Sequence, residues 1–314
     1  MARKLIIDCD PGIDDAVALS QALFDPRLEV LAVTAVGGNV PADQASENVQ
    51  AIVNQLDPAR TPRVGTATPP PAGHMVDARH IHGENGLANV SLPFSRHHQQ
   101  HTAEKLICDL ARAHPGEVTL LCLGPLTNAA RALQRDPQLA DDLDQLVIMG
   151  GSIQAGGNIT PAAEFNIYCD PASAREVFLS PANKLLVPLD VTYQVLFSME
   201  LLSQLPSESS RAGWLLRKIL PQMFRAYHEL LGQERINLHD AVALLAVTEP
   251  GLFEQRAMAA DVETTAGLSL GATVFDRRAN QAWQNNIQVV RTVDATAAAQ
   301  AILQALKQAG EKSS

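Results

Sequence analysis

Four carboxylates fall within eight residues near the start of the chain, in Asp8-Cys9-Asp10-Pro11-Gly12-Ile13-Asp14-Asp15. Crowded together away from water they would repel one another strongly, and a bound cation removes the repulsion. Oxygen donors at this density suit a hard ion, Ca²⁺ or Mg²⁺. Apolar Leu5-Ile6-Ile7 reads as a first strand, Pro11-Gly12 as a turn, and Asp14 and Asp15 as the opening of a helix whose N-terminal dipole favours anions. Ligands of open α/β sheets bind beyond the carboxyl ends of the strands, which is where Asp8 and Asp10 stand. The bland reading is a solvated acidic loop with a helix-capping Asp. The strand before the cluster and the helix after it argue against that.

The elements needed to position such a site are legible. Strand candidates lie at residues 4–9, 28–35, 63–65, 118–123, 145–149, 184–188, 258–263 and 286–290. Several carry consecutive apolar residues, as in Leu28-Glu29-Val30-Leu31-Ala32-Val33, the pattern of a parallel strand buried on both faces. Helical patterns alternate with them at residues 14–24, 42–56, 103–113, 126–135, 171–179, 212–231, 240–247 and 295–308. The alternation predicts an α/β fold, a mainly parallel central sheet flanked by helices in a Rossmann-like open arrangement. One domain over residues 1–314 is expected. Residues 69–93 carry three consecutive prolines, much Gly and His and little periodicity; they are expected to form an active-site lid loop over the C-terminal strand ends.

The chain has 314 residues, of which 46% are hydrophobic, enough for a sizeable core, and 18% charged, too few for a disordered or coiled-coil chain. Its formal charge is −10 and it has no long basic run, which argues against nucleic acid or an anionic membrane as the main partner. A small neutral or cationic ligand, or a bound cation, fits better. No segment reaches the ~18 apolar residues of a membrane span, and the N-terminus shows no signal-peptide core. Cys9, Cys108, Cys122 and Cys169 form no C-x-x-C pair, so a reduced cytoplasm is the expected setting. Cys9, between two acids, is expected to be a packed residue and not a nucleophile. His97-His98-Gln99-Gln100-His101 has no acids nearby and reads as solvated surface.

Haloacid-dehalogenase-type phosphatases also place D-x-D after an apolar strand, with the first Asp as nucleophile and Mg²⁺ as metal. Here Pro11-Gly12 follows and Asp14-Asp15 would have no role, so phosphatase chemistry through Asp8 ranks second. Asp8-Cys9-Asp10-Pro11-Gly12-Ile13-Asp14-Asp15-Ala16-Val17-Ala18-Leu19 instead resembles the signature of the inosine–uridine preferring nucleoside hydrolase family. Six further segments agree with it in order: Thr34-Ala35-Val36-Gly37-Gly38-Asn39, His80-Ile81-His82-Gly83-Glu84-Asn85-Gly86, Leu123-Gly124-Pro125-Leu126-Thr127-Asn128, Val147-Ile148-Met149-Gly150-Gly151, Ala163-Glu164-Phe165-Asn166-Ile167 and Leu238-His239-Asp240. The resemblance extends over roughly residues 4–290. Gly150-Gly151-Ser152, with Gly157-Asn158-x-Thr160-Pro161, is most similar to the non-specific ribonucleoside hydrolases, which accept purines and pyrimidines.

The resemblance implies hydrolysis of the N-glycosidic bond of ribonucleosides to ribose and free nucleobase, in nucleoside salvage, by a Ca²⁺-activated water. It implies a homodimer or homotetramer, and Ca²⁺ held by Asp10, Asp15, Asp240 and the backbone carbonyl of Leu123. Asp10 is the expected general base. Asp14, Asn39, Asn158, Glu164 and Asn166 are the expected ribose contacts, straining the sugar towards an oxocarbenium-like state. The Gly-rich Gly150–Gly157 stretch fits neither dinucleotide nor P-loop spacing, and is expected to be a flexible loop delivering Asn158. On an extended segment Glu164 and Asn166 would share one side with Phe165 opposite, and Phe165 is counted with the binding residues. His239, beside Asp240, is the expected general acid or base contact, His82 the second candidate and His80 a bystander. Tyr227, on a helix with Phe224, either packs in the core or touches the nucleobase, and Gln233 and Arg235 shape the same pocket. A non-catalytic nucleoside-binding protein is the remaining reading of another class; it predicts binding without turnover.

Overall fold

The computed structural model describes residues 2–69, 76–94 and 101–314. The strands are β1 (Arg3–Cys9), β2 (Leu28–Ala35), β3 (Arg63–Thr66), β4 (His101–Thr102), β5 (Val118–Cys122), β6 (Leu143–Met149), β7 (Lys184–Val187), β8 (Leu196–Ser198), β9 (Arg235–Asn237), β10 (Phe253–Met258), β11 (Ala260–Val262), β12 (Thr273–Phe275) and β13 (Ile287–Val293). The helices are α1 (Ile13–Ala22), α2 (Ala42–Leu56), α3 (Arg79–His82), α4 (Ala103–Ala113), α5 (Thr127–Arg135), α6 (Leu139–Asp142), α7 (Phe165–Cys169), α8 (Pro171–Leu179), α9 (Leu189–Thr192), α10 (Glu200–Gln204), α11 (Arg211–Leu231), α12 (His239–Thr248) and α13 (Ala295–Lys312).

Among the described residues, nine strands form one sheet in the order β10-β13-β7-β6-β5-β1-β2-β3-β4, parallel throughout except for β10 against β13. The chain steps outward from β1 through β2, β3 and β4, then returns to place β5 on the other side of β1. That reversal opens a crevice beyond the carboxyl ends of β1 and β5, the topological switch point where such sheets bind ligands.

Alternation along β1 sends Leu5, Ile7 and Cys9 to one face, packed with α1, α2, α11, α12 and α13. Ile6 faces the other way, into a core with α4, α5 and α8. Every residue of α1 is buried, as are Asp240–Val247 of α12. Helices apolar all round need a further layer over them, and α11 and α13 supply it. Among the described residues no helix is long and apolar enough to cross a membrane.

Two expectations change here. Residues 258–263 are not one strand: β10 ends at Met258 in the main sheet, and β11 starts at Ala260 in a separate ribbon with β12. Asn286 grips Ala260 through both its backbone N–H and its carbonyl, holding the chain where it changes sheets. Of the expected lid, residues 70–75 lie outside the described residues, and the rest is closely pinned. Ala78 N–H donates to the Asn39 carbonyl, Asn48 Nδ2 to the carbonyls of Pro11 and Asn85, and Leu87 is buried. A short helix, α3, interrupts this stretch and ends at Gly83, whose φ of 87° suits glycine. His97 to Gln100 lie outside the described residues; His101 begins β4.

Candidate active site

A cavity of ≈ 660 Å³ opens beyond the carboxyl ends of the central strands, within the size range of small-molecule sites. Its floor is acidic. Asp10 is the first residue past β1, Asp14 and Asp15 sit in the first turn of α1, and Asp240 sits in the first turn of α12. Two helix N-termini therefore converge on one point, each favouring negative charge. One oxygen from each of Asp14, Asp15 and Asp240 lies within 4.8 Å of the others. Asp10 stands beside this triple, its Oδ2 accepting from the Asn39 backbone N–H at 2.7 Å. Asp15 Oδ2 accepts from the Gly12 N–H at 2.8 Å and from Asn39 Nδ2 at 3.2 Å. Gly38 and Gly124 press directly on Asp10: a Cβ on either would collide with its carboxylate, so both positions require glycine.

Burial and mutual repulsion drive these acids towards protonation. Burial, then Asp15, pushes Asp10 well up; burial, then Asp14 and Asp15, does the same to Asp240. Burial lifts Asp14 to about 6, and burial followed by Asp14 lifts Asp15 to about 7. Among the described residues, buried Asp15 Oδ1 has no hydrogen-bond partner. An orphaned carboxylate oxygen among crowded acids is the donor set of a hard dication, and these residues fit one. The carbonyl of Leu123, just past β5, lines the same cavity and accepts from Asn166 Nδ2 at 2.6 Å.

Asp8 is absent from the cavity lining. The strand alternation that sends Cys9 to one face sends Asp8 to the other, where its Oδ1 accepts from Thr34 Oγ1 and Asn128 Nδ2. Asn128 also donates to the Ala35 carbonyl, so Asp8 ties β1 to β2 and α5. Burial raises its carboxyl to about 7. A fully buried Asp8 outside the cavity cannot attack a substrate, which removes phosphatase chemistry through it. Cys9 is fully buried, and burial, then the charges of Asp15, Asp8 and Asp10, pushes its thiol well up, as expected of a packed residue.

Glu164, Phe165 and Asn166 all line the cavity, though not on the extended segment expected. Glu164 caps α7, accepting from the N–H groups of Asn166 at 2.9 Å and Ile167 at 3.1 Å, and from that of Gly151 at 3.0 Å. Residues in a first helical turn fan out around its axis, so Phe165 joins the cavity instead of facing away. Asn158 also lines the cavity, its Oδ1 accepting from the Phe165 N–H at 2.8 Å. The Gly-rich loop that carries it is anchored by Asp190, which accepts from the N–H groups of Ile153 (2.6 Å), Gln154 (2.8 Å) and Ala155 (3.1 Å). Asp190 went unnoticed in the sequence; a lone acid after an apolar strand carries no signal of the loop it will hold.

The imidazoles of His82 and His239 and the rings of Tyr193 and Tyr227 also line the cavity. His82, on α3, accepts the Ile13 N–H at its Nδ1 at 3.0 Å. An amide can only donate, so the proton of the neutral ring sits on Nε2. Burial lowers His82 to about 4. His239 opens α12, and burial, followed by His82, lowers it to about 4 as well. The Tyr193 ring meets it edge-on, with centroids 5.7 Å apart and planes at 65°. Tyr227 of α11 is buried yet reaches the cavity beside Met223, so it serves both core and pocket. Gln233 and Arg235 line the mouth, and so does exposed His80, which was expected to stand aside. Tyr193, Ile81, Leu196 and Met223 also line the cavity and had no distinguishing motif.

The family model described as inosine-uridine preferring nucleoside hydrolase matches residues 5–300. The chain is 34% identical over 284 residues to an inosine-uridine preferring nucleoside hydrolase of Leishmania major, covering 88% of this chain and 89% of that protein. It is 36% identical over 294 residues to a non-specific ribonucleoside hydrolase, RihC, of Salmonella agona, covering 92% and 93%. Its fold is similar to that of a solved plant nucleoside hydrolase, with a TM-score of 0.91 and 31% identity over 98% of this chain and 99% of that one.

Proposed function

This chain belongs to the inosine–uridine preferring nucleoside hydrolase family, and from that premise we propose how its cavity divides the work. The enzyme hydrolyses the N-glycosidic bond of ribonucleosides, releasing ribose and free nucleobase. One observation carries the assignment. The buried oxygens of Asp14, Asp15 and Asp240, one of them orphaned, meet in a cavity that His82 and His239 also line.

Asp10, Asp15, Asp240 and the Leu123 carbonyl would hold Ca²⁺, with Asp14, whose carboxylate clusters with those of Asp15 and Asp240, left to join them or to grip the sugar. When bound, the dication supplies charge that acidifies water and orients vicinal hydroxyls. Asp10, fixed by the Asn39 N–H and two glycines, accepts the proton of the attacking water. Asn39, Asn158, Glu164 and Asn166 orient the ribose: Asn39 Nδ2 donates to the Asp15 carboxylate, and backbone contacts pre-set the side chains of the other three. As the bond breaks, positive charge grows on the sugar beside this acidic floor, while the base departs towards His239 and His82.

Neutral donors and aromatic walls do not demand one particular base, which supports broad purine and pyrimidine acceptance. We read the chain as one domain working in the cytoplasm as a homodimer or homotetramer. The test is direct. Inosine and uridine with Ca²⁺ should release reducing sugar, exhaustive chelation should stop it, and Ca²⁺ should restore it better than Mg²⁺. Tight nucleoside binding without sugar release would favour a binding protein, and full activity after chelation would remove the metal.

A further inference from the structure

The catalytic ring of the base end is itself held by a residue outside the cavity lining. His239 Nδ1 lies 2.7 Å from Oγ1 of Thr192, a fully buried residue at the end of α9. We propose that Thr192 is a positioning residue, which fixes His239 as an Nε2–H donor aimed at the leaving nucleobase. The proposal rests on the reading of His239 as the base contact.

Hydrogen-bond accounting sets the direction of the contact. Among the described residues His239 is the one hydrogen-bond partner of the Thr192 hydroxyl, and no solvent reaches it. If Nδ1 carried the ring proton, the buried hydroxyl proton would have no acceptor, a cost the alternative avoids. The hydroxyl therefore donates to Nδ1, and the proton of the neutral ring sits on Nε2, at the cavity. A carboxylate in place of Thr192 would draw the ring towards imidazolium; a hydroxyl fixes the tautomer without adding charge.

The support is rigid. Asn237 Nδ2, two residues before His239, donates to the carbonyls of Thr192 at 3.0 Å and Val195 at 3.2 Å. Tyr193 stacks its edge on the ring, which limits rotation. The same four-residue helix carries Asp190, which anchors the loop bearing Asn158. One short element thus sets a group at each end of the substrate.

Thr192→Val keeps the side-chain shape and removes the hydroxyl; Thr192→Ala serves where Val does not fold, and Thr192→Ser restores the hydroxyl. Each is assayed on inosine and on 4-nitrophenyl β-D-riboside, whose leaving group departs as a stable anion unaided. Thr192→Val should lower kcat on inosine about tenfold with little change in KM, leave the nitrophenyl riboside within about twofold, and be rescued by Thr192→Ser. ¹⁵N NMR of the His239 ring, assigned by its loss in His239→Gln, should show Nε2 protonated in the parent and a tautomer mixture in Thr192→Val. Equal losses on both substrates, no loss on inosine, or a parent ring protonated at Nδ1 would overturn the proposal. His239→Ala separates the two readings. If it slows both substrates equally, the role of His239 fails; if it selectively slows inosine while Thr192→Val does not, Thr192 alone fails.

Discussion

At the acidic end of the cavity, the groups come from a strand end and two helix N-termini, and the backbone holds them. Gly12 and Asn39 N–H groups grip Asp15 and Asp10, and two glycines close on Asp10. The aromatic groups, His82, Tyr193, Tyr227 and His239, come from four separate parts of the chain; His82 is held by a backbone N–H, and His239 by the Thr192 side chain and the Tyr193 ring. The contrast follows from charge. Buried carboxylates that repel one another must be fixed rigidly and neutralised, whereas neutral rings need only hydrogen-bond partners and shape. The ends meet where His82 accepts the Ile13 N–H at the start of α1, the helix that also presents Asp14 and Asp15.

If the acidic end carries the attack on the sugar, the largest effect belongs to Asp10. Asp10→Ala should cut sugar release from inosine by ~10³-fold or more, losing both a proton acceptor and a cation ligand, with the fold retained by circular dichroism. Hydrolysis within tenfold of the parent would break the division between the ends. The aromatic end should give a smaller, base-dependent effect. His239→Ala should slow inosine and uridine unequally, by on the order of 10²-fold for the worse substrate. Equal and negligible losses would show that the base leaves without it.

A third measurement isolates what burial does to a single carboxylate. Burial raises Glu164 to about 7, above the ordinary carboxylate range, despite its three backbone donors. A raised folded-state value means that the protonated form is favoured by folding, so that contribution is complete below the unfolded value and lost as pH rises through about 7. Glu164→Gln cannot titrate. Under chelation, its stability relative to the parent should therefore shift in its own favour between pH 4.5 and 7, by up to about 3 kcal/mol in denaturant titrations. A constant gap across that range would show that Glu164 does not change ionisation on folding.

The strands and helices that frame the site were mostly legible, because parallel strands buried on both faces and amphipathic helices have strong periodic signals. The expected helices at residues 42–56, 103–113 and 171–179 match α2, α4 and α8 end for end. Where the signal is short, it failed: β8, β9 and β12 span three residues each, too few to show alternation. Glu164 and Asn166 were read with a period of two when they belong to a helical turn, because five residues cannot distinguish the two.

The chain's own residues determined the acidic motif, the α/β alternation and the identity of the family, since these depend on local order along the sequence. They could not decide that Asp8 is buried against Thr34 and Asn128 while Asp10, just past the strand, lines the cavity, that Asp14 joins Asp15 and Asp240, or that Asp190 and Thr192 of α9 hold the loop and the imidazole. Those are contacts between residues tens to more than a hundred positions apart. They exist only once the sheet reverses direction at β1 and brings α1, α9 and α12 around one crevice.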